Sequence, residues 1–175
     1  VASRTDASDG AGAVDAESGV RVAQQRRWRN APATSRGWDV GTLSSDDFGR
    51  DSLATFRYQV QVPQLIWSPT VKIALAWDSK VFSFIGIPLA SALTVDFDLI
   101  VRNSHGVQVA SAASWDNSYE VVEFAASRGA TYDIIVRRWS GTDSVWFGLA
   151  WATAGISIFT PPGPFGAALS ELTRG

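Results

Sequence analysis

Cysteine and methionine are absent from this chain of 175 residues, and histidine occurs once. The first absence excludes disulfides, thiolate nucleophiles and every zinc site built on sulfur. With a single histidine, a Ser-His-acid triad would have to run through His105. That residue lies in the turn-forming cluster Asn103-Ser104-His105-Gly106, where a solvated turn residue is the ordinary role. No residue is therefore assigned to catalysis. Charge of either sign is also scarce: 15 basic and 17 acidic side chains leave a formal charge of −2. No basic excess exists to neutralise phosphates, so neither nucleic acid nor an anionic membrane is an expected partner. The longest apolar stretch, residues 81–95, is interrupted by Ser83, Gly86, Pro88 and Ser91. It falls short of the ~20 residues that a bilayer-spanning helix needs.

What is present is enough apolar content, 46%, to bury a core. The chain begins at Val1 without a charged start or an apolar signal core, and is expected to be part of something longer. Near the N-terminus, Val14, Gly19, Val20 and Ala23 recur at helical spacing behind the turn formers of residues 9–12. This predicts a helix of about 14 residues from Ala13, ending at Gln24-Gln25-Arg26-Arg27, where basic side chains suit the negative end of the helix dipole. Pro32 and Gly37 then mark a linker with a first edge segment, over 32–53.

From about residue 54 the period becomes two. Phe56, Tyr58, Val60 and Val62 alternate with polar residues until Pro63, and Val71, Ile73, Leu75 and Trp77 alternate with Lys72, Ala74 and Ala76. Further strands are predicted around Phe97-Leu99-Val101, Val107-Val109, residues 119–124, Tyr132-Ile134-Val136 and Phe147-Leu149-Trp151, each bounded by turn formers. About eight short strands predict an all-β, jelly-roll-like antiparallel β-sandwich over 54–157, with an N-terminal α-helix appended in 1–31. Pro161-Pro162-Gly163-Pro164 opens a tail, 158–175, with room for a short helix over 166–173.

Three segments, read in order, resemble the C-terminal region of subtilisin-like serine proteases that carry a β-sandwich after the catalytic domain. Residues 9–23 are similar to the "GxGxVdAxxAV" ending of the catalytic domain. Residues 71–78 with 93–106 resemble "LxWxD … LxNDLDLxVxxPxG", and residues 115–120, 130–136 and 146–150 resemble "N-x-x-E … GxYxIxVxx … FxLxV". The departures are Thr94-Val95 before the first acid, the apolar segment 81–92, and Ala130 in place of a glycine. The resemblance implies a secreted, non-catalytic accessory domain that stabilises or orients a catalytic domain lying N-terminal to Val1, or helps it recruit protein substrate. That catalytic domain is the implied intramolecular partner, and residues 1–31 would hold its last helix. Ser140-Gly141-Thr142-Asp143 does not substitute for its nucleophile loop, because strands rather than a helix flank it.

Asp96 and Asp98 are the best candidates for chemistry. Two residues apart on a strand, they project to the same face and can share a hard cation. Asp116, Asn117 and Glu120, on a loop that can cross the sheet, would complete an oxygen shell for calcium, a cofactor that the resemblance also implies. The alternative is that Asp98 faces water and Asp96 caps a turn. Trp115 and Trp139 fall at loop or strand-end positions suited to stacking on a sugar or a peptide, whereas Trp77 and Trp151 follow the inward alternation. A carbohydrate-binding sandwich is the competing function. The apolar segment 81–92 is expected to cover an end of the sandwich or to dock on the catalytic domain, since leaving it bare in water would be costly.

Overall fold

The period-two segments become strands because alternate side chains of an extended chain point to opposite faces, so each strand buries one row and wets the other. The computed structural model describes residues 16–64, 66–84 and 87–157. After a helix α1 (Ala16–Ala23) come β1 (Arg36–Leu43), β2 (Tyr58–Gln61), β3 (Ile66–Trp77), β4 (Lys80–Phe84) and β5 (Ile87–Ala92). They are followed by β6 (Asp96–Asn103), β7 (Gln108–Ala112), β8 (Tyr119–Ala125), β9 (Thr131–Ser140) and β10 (Val145–Ser157). One sheet runs β1-β10-β3-β8 and a second runs β2-β9-β6-β7, with β4 and β5 as a separate hairpin. Every pairing between these strands is antiparallel. The expected antiparallel sandwich is thus the observed architecture.

The core lies between the two sheets. Leu75, Ile73 and Leu149 come from the first sheet and Leu99, Val101 and Ile134 from the second, all at most 1% exposed. Each such side chain contributes ~1.5–3 kcal/mol by leaving water. Trp77 and Trp151 are buried as their alternation requires. Their indole N–H groups are satisfied as well, Trp77 donating to the Val95 carbonyl at 2.9 Å and Trp151 to that of Thr34 at 3.2 Å. One polar bond ties the layers together: the Tyr58 hydroxyl on β2 donates to Oδ2 of buried Asp39 on β1 at 2.8 Å. Burial and that carboxylate push the Tyr58 phenol far above its ordinary range, so it stays a donor.

Local detail refines three expectations. Within 32–53, the first edge segment is residues 36–43, an outer strand of the first sheet, so the layers start before residue 54. The apolar alternation there is interrupted by Gly37 and Asp39, which hid the strand's bounds; both are buried, Asp39 because Tyr58 and Arg26 satisfy it. The described helix is eight residues rather than about 14 and ends at Ala23, and its Val20 is 57% exposed. What anchors α1 is its last carbonyl: Trp38 Nε1 donates to Ala23 at 2.8 Å, and residues 25 and 27 then bond to the β1 edge. Arg26 thus lies beyond the helix and pairs with Asp39. Finally, the apolar segment 81–92 contributes a paired hairpin, as its β-branched and aromatic residues favour. Its side chains, Val14 and the expected 166–173 helix lie outside the described residues.

Candidate functional site

On β6, Phe97, Leu99 and Val101 point into the core, and the alternation sends Asp96 and Asp98 to the opposite face of the second sheet. Both acids are nevertheless buried, at 6% and 3% exposure, so neither reads as a solvated strand residue. The connection from β7 to β8 closes over them. Ser114 N–H donates to Glu120 Oε1 at 2.5 Å, while the Ser114 hydroxyl donates to Asp116 Oδ1 at 2.8 Å and accepts from Asn117 Nδ2 at 2.9 Å. The result is a cleft of about 280 Å³ lined by Asp96, Asp98, Ala113, Ser114, Trp115, Arg137 and Trp139.

The charges of this cleft do not balance. Among its described lining residues, two carboxylates face one guanidinium. Arg137 Nε donates to Asp98 Oδ2 at 2.7 Å, and its Nη2 contacts the same oxygen. Asp96 Oδ1 has no hydrogen-bond partner among the described residues. Burial raises the pKa of Asp96, the Asp98 charge adds to the rise, and Arg137 opposes it. Glu120, 4% exposed, behaves similarly: burial raises it, the Ser114 amide works against that, and Asp98 and Asp96 raise it further. Asp96 and Glu120 thus both feel the Asp98 charge, a field that favours a proton or a cation.

The expected calcium ligands thus divide. Asp96, Asp98 and Glu120 are brought into one electrostatic neighbourhood, whereas Asp116 and Asn117 are engaged with Ser114 at its rim. Among the described residues, no three acidic or histidine side chains already stand at metal-holding distance. The donor chemistry suits calcium, and the unpartnered Asp96 oxygen is the feature that a cation would satisfy. Trp115 and Trp139 are 84% and 65% exposed at the mouth, and the Arg137 guanidinium lies 5.0 Å from the Trp139 ring centroid. Arg137 and Ser114 were missed in the sequence. Arg137 follows the predicted strand as the first of two arginines before Trp139, but its partner is set by the β6–β9 register, Asp98 opposite Arg137. His105 stands exposed in its turn, held by bonds from residues 105 and 107 to Asn103 Oδ1, both 3.0 Å.

By fold, the chain is an all-β antiparallel sandwich. No protein-family model matches it, and no curated protein does. Among solved structures it is similar to the pre-peptidase C-terminal domain of collagenase from Bacillus anthracis, at 14% identity and a TM-score of 0.43, over 71% of this chain and 99% of that one. A likeness so distant says nothing about what this chain binds.

Proposed function

We propose that this chain is a non-catalytic accessory module of a secreted subtilisin-like serine endopeptidase. It stabilises or orients the catalytic domain or helps recruit protein substrate, and residues 1–31 carry the last helix of that domain. The support is the ordered set of motif residues described above, together with the cleft that two of them form. Calcium at this cleft would be held by Asp96, Asp98 and the 116–120 loop, supplying the positive charge that these carboxylates lack. Arg137 and the ion would compete for Asp98. The observation that carries the calcium reading is the buried, unpartnered Asp96 oxygen beside Asp98.

Calcium titrated into the chelator-treated chain should give a calorimetric binding signal and raise the melting temperature, since a ligand that binds the folded state stabilises it. Magnesium should do neither at the same concentration, because it sheds water reluctantly. No heat and no thermal shift with calcium would remove the metal from the proposal. Turnover of a peptide amide by the isolated chain would overturn the accessory role. The competing carbohydrate reading draws on Trp115 and Trp139 at the cleft mouth; sugar-dependent quenching of tryptophan fluorescence that Trp139→Ala abolishes would favour it.

A further inference from the structure

Part of the outward face of the first sheet is apolar and hollow, next to a charged row of Arg36, Ala152, Lys72 and Glu123. Reading across the register, one row is Val40–Gly148–Ala76–Tyr119 and the next is Trp38–Ala150–Ala74–Val121. The two central strands, β10 and β3, thus present a floor of alanine and glycine between larger walls on β1 and β8. Val40, Tyr119, Val121 and Trp146 are 38%, 49%, 57% and 60% exposed, and two adjoining hollows of about 380 and 270 Å³ lie along the floor. Nothing in the sandwich requires the depth: a Cβ on Gly148 would meet only Val40 Cγ1, at an ordinary 3.8 Å. Helix α1 touches β1 and β10 at the Trp38 end and leaves Ala74 and Ala76 exposed. A continuous apolar trough of this kind is uncommon on a face meant for water.

We propose that the trough is filled by the chain's own C-terminal segment, residues 165–172. That segment follows β10, the strand that forms half of the floor. Phe165, Ala168, Leu169 and Leu172 fall at i, i+3, i+4 and i+7, one apolar stripe. The N-terminal residues 1–15 are a poorer match, with Val1 and Val14 their only large apolar side chains. Reach permits the return. From Ser157 back to Ala150 along β10 is about 24 Å at ~3.4 Å per residue, and the link from Ser157 to Phe165 spans up to ~26–29 Å when extended. Pro161-Pro162-Gly163-Pro164 lies within that link, where a reversal is needed. The small floor residues let an incoming segment approach closely, and Trp38, Val40, Tyr119 and Val121 flank it.

Because the chain has no cysteine, an introduced pair is the sole pair. In the full chain carrying Ala74→Cys and Leu169→Cys, mild oxidation should give an intramolecular disulfide in most molecules. Val109→Cys on β7 of the other sheet, combined with Leu169→Cys, should give little. Equal yields from the two pairs would overturn the proposal, and so would disulfide-linked dimers in place of the internal bond, which would make a second copy the occupant. As a second measurement, Leu169→Asp with Leu172→Asp in the full chain should raise the fluorescence of an apolar-surface dye several-fold; unchanged dye binding would equally overturn it.

Discussion

Asp96 is a buried acid whose protein surroundings leave it poorly satisfied. Its carboxyl is buried, one oxygen is unpartnered, and its pKa is raised chiefly by that burial. A raised folded pKa means that the folded state holds the proton more tightly than the unfolded chain does. Stability contributed by Asp96 is therefore greatest at low pH and is lost as pH rises from the ordinary carboxylate range through the raised value. Glu120 acts in the same direction. Asp96→Asn should match the wild type near pH 4 and melt at a higher temperature at pH 7, measured without calcium. With calcium the order should reverse, because the variant has lost a ligand. A variant that is less stable than the wild type at neutral pH without metal would show that the ionised carboxylate is satisfied after all.

At the scale of elements, the cleft depends on where β6 begins. The turn after β9 crosses that point: Gly141 has φ +80°, and a Cβ there would overlap the Thr94 carbonyl oxygen just before Asp96. Glycine supplies both the left-handed backbone and the close approach. Gly141→Ala should cost roughly 1–3 kcal/mol in urea denaturation and weaken calcium binding along with it. A variant as stable as the wild type would mean that the turn and β6 are not in contact. The same junction explains why Trp77 matters at both levels, since its N–H holds the Val95 carbonyl and its ring meets Phe97 edge-on at 5.3 Å. The turn after β9 and the Trp77 indole of the facing sheet thus both meet the backbone that presents the two acids.

For the whole molecule, the two sheets share one interior, so a defect at its centre should be felt throughout. Leu75 is fully buried, and Leu75→Ala should cost ~2–5 kcal/mol in a single unfolding transition monitored by tryptophan fluorescence and circular dichroism. Two separated transitions would show that the layers unfold independently. Much of this interior was legible in the residues themselves: strict alternation at 56–62, 71–77, 132–136 and 147–151 determined which side chains are buried, because burial follows a period of two whenever one face of a strand is covered. Segment 36–43 was legible only as an edge segment somewhere in 32–53, without its bounds, since a buried aspartate reads as polar until Tyr58 is brought across the interior to satisfy it. Nor was the pairing of Asp98 with Arg137, which lie 39 positions apart and meet through strand register. Local composition by itself determined the class of fold and the candidate acids. Tertiary structure alone decided that those acids are buried with a shortage of positive charge, because desolvation and counter-ions come from residues that are neighbours in space and not along the chain.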